Sequence, residues 1–215
     1  MKAWRVYGPH DVRLDDMDSQ PVGENCVKLK LLHSAISLND VGVYDGSVKA
    51  DYPIIIGRHG IGMVTEVGEG VRNLSRGDKV AVSPHACCHA CANCLSGKTA
   101  DCDKTLTFGE TEDGFLRDFA VVSADDVFSL PDRIELKDAN FLEHIAMAVN
   151  TVGKLDLEKG EHIVIVGAGI NGIALAQVAM YYQAVPILVD MHADKLELAS
   201  RLGVYYTVNS VETDP

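Results

Sequence analysis

The chain has 215 residues, 47% hydrophobic and 23% charged, enough to bury the core of one large domain or two small ones. Thirty-one acidic side chains against nineteen basic ones give a formal net charge of −12. Such a surface repels phosphate backbones and anionic lipid, which argues against nucleic acid and membranes as partners.

The opening MKAWRVYGPHDVRL alternates as a first strand and lacks the charged-then-apolar run of a secretory leader. As far as Pro131 the chain reads as strands, with runs such as VKLKLLHSAI, MVTEVGEGV, DKVAVSP and FAVVSADDVFSL between Gly, Pro and Asp breaks. Near Asp138 the period becomes helical. Leu142, Ile145, Val149 and Val152 fall on one stripe, and Asp138 is placed to cap its start. After Gly160 the pattern is strand (HIVIVG), glycine turn, helix (residues 170–182), strand (PILVD), helix (ADKLELASRL) and the start of a third strand (VYYTV). A run of strands followed by βαβ units predicts an α/β plus β fold in two domains, residues 1–152 and 153–215. Residues 163–180 are apolar enough to resemble a membrane span, but three glycines, Asn171 and Gln177 interrupt them. A cytoplasmic location is expected.

Five of the six cysteines lie between Cys87 and Cys102. Clustering of this kind favours a metal over a disulfide framework. Cys88, Cys91, Cys94 and Cys102 form C-x2-C-x2-C-x7-C. The short gaps aim neighbouring thiolates at one centre, and the longer loop returns the fourth to close a tetrahedron. Four thiolates leave no open coordination position, so one structural Zn2+ is expected, with an iron–sulfur cluster as the alternative. His85 and His89 read as bystanders to that site. Gly167, Gly169 and Gly172 form G-x-G-x-x-G between a predicted strand and helix, the context required for a dinucleotide pyrophosphate. Asp190, 18 residues after Gly172, ends the next strand. There its carboxylate can accept hydrogen bonds from a ribose and repel a 2′-phosphate, which favours NAD over NADP.

The cysteine lobe, GRHGIGMVTEVGEGV at residues 57–71, GDKV at 77–80 and VGAGINGIALAQVA at 166–179 together resemble the medium-chain dehydrogenase/reductase superfamily. Within it, the chain is most similar to the zinc-type alcohol and polyol dehydrogenases of the sorbitol and threonine dehydrogenase kind. The resemblance implies a GroES-like catalytic domain carrying a zinc lobe at about residues 86–103, then a Rossmann domain that binds NAD. It implies hydride transfer with a small-molecule substrate (an alcohol, polyol or carbonyl) and pairing of copies into a homo-oligomer.

The resemblance also implies a second, catalytic zinc, and there the sequence departs from the pattern. The cysteine position is Ser37, the histidine position Arg58, the following glutamate position His59, and the third ligand position Glu143. The proton-relay histidine position is Gly42, while the aspartate of that element is kept as Asp40. A neutral hydroxyl is a poor zinc ligand, and a guanidinium places a fixed positive charge where a cation should sit. An Arg58 ion pair with Asp40 or Glu143 is therefore expected to fill the site, with a displaced metal site of His59, Glu143 and His144 or Asp40 as the alternative. Ser37, Asp40, Arg58, His59 and Glu143 remain the candidate substrate-pocket residues. Two rival readings accompany the dehydrogenase: a metal-independent double-bond reductase, and a non-catalytic relative keeping only the structural zinc and part of the NAD site. The dinucleotide fold is expected to be incomplete at Pro215, as in a fragment, a truncated chain or one that needs a partner to cover the exposed sheet.

Overall fold

The N-terminal run folds as a hairpin instead of one strand. In this computed structural model, which describes residues 1–212, β1 (Lys2–Gly8) and β2 (Asp11–Asp16) pair antiparallel across a turn that His10 makes at φ 62°. There follow β3 (Cys26–His33), α1 (Leu38–Asp45), β4 (Ile54–Ile55), β5 (Gly60–Val67) and β6 (Lys79–Val82). The cysteine lobe contains β7 (His85–Ala86), α2 (Ala92–Leu95) and β8 (Leu106–Thr107). Strands β9 (Phe119–Ser123) and β10 (Val127–Ser129) and the short helix α3 (Leu136–Ala139) complete the first unit, which spans Met1–Asn140.

Its largest sheet is antiparallel in the order β10-β6-β5-β3-β9, flanked by a β2-β1-β4 sheet. Alternation makes the core. In β3, Val27 and Leu29 are fully buried while Lys28 and Lys30 take the opposite face. Val27 and Leu29 pack with Val64, Val80 and Phe115, each burial contributing about 2 kcal/mol. A second cluster of Val6, Val43, Ile54 and Ile56 seats α1 on the smaller sheet.

The second unit, Phe141–Pro215, contains α4 (Leu142–Val152), β11 (His162–Val166), α5 (Ile170–Tyr181), β12 (Val185–Asp190), α6 (Ala193–Arg201) and β13 (Tyr206–Asn209). The last three residues of the expected second domain, 213–215, lie outside the described residues. Its three strands are parallel in the order β11-β12-β13, the opening of a doubly wound sheet. The apolar run at 163–180 is thus a strand, a turn and a helix. Among the described residues no helix is long and apolar enough to cross a membrane.

Three expectations are corrected here. The boundary lies at Asn140/Phe141 and not at 152/153, because α4 packs on α5 within the second unit through Ala148, Val152, Ala174 and Val178. The buried stripe of α4 is Ala148 and Val152, whereas Ile145 and Val149 are 38% and 44% exposed. Small residues let two helices approach closely, so the alanine faces inward. Asp138 does not cap α4: it lies within α3, and α4 starts after Phe141 with no side-chain cap.

Candidate functional site

The lobe gathers its thiols by local backbone geometry. Cys91 precedes α2 in extended conformation, and its Sγ accepts from the Cys94 N–H at 3.5 Å. The Cys88 Sγ accepts from the Cys91 N–H, and the Cys102 Sγ from the N–H groups of Cys88 and Lys104, each at 3.4 Å. All four sulfurs lie within 4.8 Å of one another, with Cys88–Cys102 at 3.5 Å and Cys88–Cys94 at 3.9 Å. Tetrahedral zinc with Zn–S bonds of ~2.3 Å requires sulfur separations of ~3.8 Å. The donor set therefore fits one zinc ion and is compact for a multinuclear cluster. Without a cation four such thiols cannot ionise together. The N–H groups of Cys88 and Lys104 draw Cys102 down to about 6, whereas desolvation and thiol hydrogen bonds push Cys94 up to about 12. His89 turns away from the thiols, its Nε2 lying 3.6 Å from the buried Asp126 carboxylate. Burial raises the pKa of Asp126.

Two of the positions that resemble a catalytic metal site, Ser37 and Arg58, are otherwise engaged. Ser37 caps α1 and forms a reciprocal capping box with Asp40. The Asp40 Oδ2 accepts from the Ser37 N–H at 2.7 Å and the Ser37 hydroxyl at 2.6 Å, and its Oδ1 accepts from the Gly57 N–H at 2.8 Å. Asp40 is 3% exposed, so it acts as a buried brace between α1 and the Gly57–Arg58–His59 segment. Of the two acceptors expected for Arg58, Asp40 is thus taken up by other donors. The Arg58 Nη1 lies 3.9 Å from the Glu110 Oε1, and its Nη2 is 2.8 Å from the His85 Nε2. Since a guanidinium only donates, His85 accepts at Nε2 and carries its proton on Nδ1, facing the Thr107 hydroxyl at 3.2 Å. Glu110 also accepts from the Asn39 side-chain amide. His59 is buried at 8% exposure beside Arg58. A hydroxyl locked in a cap beside a cationic guanidinium does not fit a catalytic zinc.

Sequence reasoning missed Glu110, His85 and Asn39 as members of this cluster. Glu110 reaches Asn39 across 71 residues, and no spacing rule could have signalled it. Glu143, the fifth candidate, lies in the second unit at the start of α4. Replacing Asp40 by Ala strips the acceptor from three donors. The expected cost is about 3 kcal/mol of stability, read as a lower urea midpoint at unchanged slope.

The glycine turn lies wholly in the second unit. Gly167 takes φ +105° between β11 and α5, and a Cβ on Gly172 would sit 1.8 Å from the Gly167 carbonyl oxygen. A Cβ on Gly169 meets nothing within 4 Å, which leaves open space at the helix N-terminus where a pyrophosphate approaches. Asp190 ends β12, its Oδ2 accepting from the Ala168 N–H at 2.7 Å and its Oδ1 from the His192 N–H at 2.8 Å. Those two N–H groups hold its carboxyl below the usual range, so it stays ionised. Each oxygen keeps a lone pair for a ribose hydroxyl.

A β-rich unit with a four-thiol lobe, followed by a βαβ unit with a dinucleotide-type turn, defines a class of oxidoreductase architecture. The alcohol dehydrogenase GroES-like domain matches residues 23–132, and the chain belongs to that family. It is 32% identical over its whole length to an uncharacterized zinc-type alcohol dehydrogenase-like protein of Haemophilus influenzae, and spans 63% of that relative. Over 93% of its length it is 32% identical to L-threonine 3-dehydrogenase of Vibrio parahaemolyticus, of which it covers 59%. The fold superimposes on galactitol-1-phosphate dehydrogenase from Escherichia coli with a TM-score of 0.92 and 28% identity, covering all of this chain and 62% of that one.

Proposed function

We propose that the protein is an NAD-linked oxidoreductase that transfers hydride between the cofactor and a small alcohol, polyol or carbonyl, with Cys88, Cys91, Cys94 and Cys102 holding a structural zinc. One observation carries this reading: the glycine turn keeps open space at Gly169 while Asp190 stays ionised at the end of β12. Bound NAD would supply a nicotinamide carbon that accepts or returns hydride. The chain's residues supply the rest. The α5 N-terminus faces the pyrophosphate, Asp190 accepts from the adenosine ribose, and Arg58 and His59 face the substrate oxygen. The threonine and polyol dehydrogenase relatives support the substrate class.

A second reading rests on Arg58. In a metal-independent reductase, a fixed guanidinium would stabilise negative charge on a carbonyl oxygen as hydride adds to an activated double bond. Product identity separates the two readings, because the cofactor absorbance change is the same in both.

Calorimetric titration with NAD and NADP tests the cofactor assignment. NAD is expected to bind more tightly, and Asp190→Ala to weaken NAD by about tenfold while narrowing the gap to NADP. Equal affinities in the unaltered protein, or an unchanged preference in the variant, would remove Asp190 from this role.

A further inference from the structure

Cys87 is the thiol that the zinc lobe does not use. It follows β7 directly and precedes the first ligand, and its Sγ lies outside the group of four sulfurs. Half-buried, it donates to the Thr99 carbonyl at 3.4 Å. The same carbonyl accepts from the Cys102 N–H at 3.2 Å. The Cys102 Sγ accepts in turn from the Cys88 N–H at 3.4 Å, and that N–H belongs to the peptide joining Cys87 to Cys88. Thr99 and this peptide thus hold Cys87 beside Cys102, although 15 residues separate them in the chain.

We propose that the lobe is a peroxide-sensitive switch in which Cys87 forms a disulfide with Cys102 and so displaces zinc, an inference that rests on the structural-zinc reading above. Zinc holds its cysteine ligands as thiolates, the form that attacks a peroxide. The Cys102 thiolate takes one oxygen from hydrogen peroxide, becomes a sulfenic acid and releases hydroxide. That sulfur no longer carries the negative charge a zinc ligand needs. The Cys87 sulfur then attacks it, the S–O bond breaks, and the hydroxyl leaves with the Cys87 proton as water. The two sulfurs together give up two electrons, and the peroxide takes them. Zinc is left with three thiolates and an open position, from which a chelator can remove it.

The neck of the lobe connects this chemistry to the Arg58 cluster. Strands β7 and β8 pair His85 with Thr107 and Ala86 with Leu106. His85 meets the Arg58 guanidinium, and Glu110, which faces it, follows three residues after β8. Neither α2 nor the turn at Thr99–Asp101 buries a residue, so zinc is what holds the lobe above the neck together. Its loss loosens the segments that bring two partners to Arg58.

The test treats the zinc-loaded protein with hydrogen peroxide, follows freed zinc with a chromogenic chelator and maps disulfides by peptide mass spectrometry. Zinc release is expected to accompany a Cys87–Cys102 link, and dithiothreitol with added zinc to restore the metal. Cys87→Ser and Cys87→Ala leave all four ligands in place. Both should bind one zinc per chain and release it at least about tenfold more slowly, because the neighbouring thiol that resolves the sulfenic acid is gone. Release as fast in both variants as in the unaltered protein overturns the switch and leaves the zinc reading intact. So does a disulfide confined to the four ligand cysteines, of which Cys88 and Cys102 are 3.5 Å apart. Absence of zinc from the untreated protein overturns both.

Discussion

Elemental analysis of the purified protein is expected to return one zinc per chain, and the Cys91→Ser, Cys94→Ser variant none. The sulfur separations of 3.5 and 3.9 Å already match a tetrahedral edge, so little reorganisation opposes binding. Neither α2 nor the short turn at Thr99–Asp101 buries a residue, which leaves the lobe without an apolar core of its own. Metal ligation therefore supplies its folding free energy, on the order of 10–16 kcal/mol in small zinc domains near neutral pH. Serine hydroxyls do not replace thiolates, and two remaining cysteines do not hold the ion. The main sheet should survive in the variant, because its core is Val27, Leu29, Val64, Val80 and Phe115. Protons compete for the thiolates, so zinc affinity falls as pH is lowered. A second zinc that persists in the double variant would sink the argument that Ser37 and Arg58 exclude a catalytic metal.

What could be read from the sequence was chemistry held in short segments. The four cysteines and the three glycines act through neighbouring backbone, so their spacing contains most of the geometry. What could not be read depends on contacts between distant segments. Asp40 was legible as a surviving family position, but its brace to the Gly57 N–H depends on how α1 meets a loop 17 residues away. Glu110 was missed as a partner of Arg58 for the same reason: it arrives on a loop that no local pattern marks. The α4 boundary failed differently. Hydrophobicity ranked Ile145 and Val149 above Ala148, yet close packing on Ala174 favours the smallest side chain.

Two alanine substitutions three residues apart, at Gly169 and Gly172, are expected to separate folding from cofactor binding in the glycine turn. Gly172→Ala places a methyl 1.8 Å from the Gly167 carbonyl oxygen, a distance no rotamer relieves because both atoms belong to or adjoin the backbone. The turn or α5 must shift, at a cost of about 3 kcal/mol, and NAD affinity falls by about a hundredfold with it. Gly169→Ala is the opposite case. Gly169 has φ −73°, which alanine adopts without strain, and its Cβ meets no protein atom within 4 Å. The thermal midpoint should therefore hold or rise slightly. Its methyl nevertheless projects into the space where the pyrophosphate would meet the N-terminus of α5, so NAD binding should still weaken by about tenfold or more. Thermal unfolding and NAD titration of both variants read the two effects independently. Loss of stability without loss of binding in Gly172→Ala, or unaltered NAD binding in Gly169→Ala, would mean that the open space at Gly169 is not where the cofactor lies.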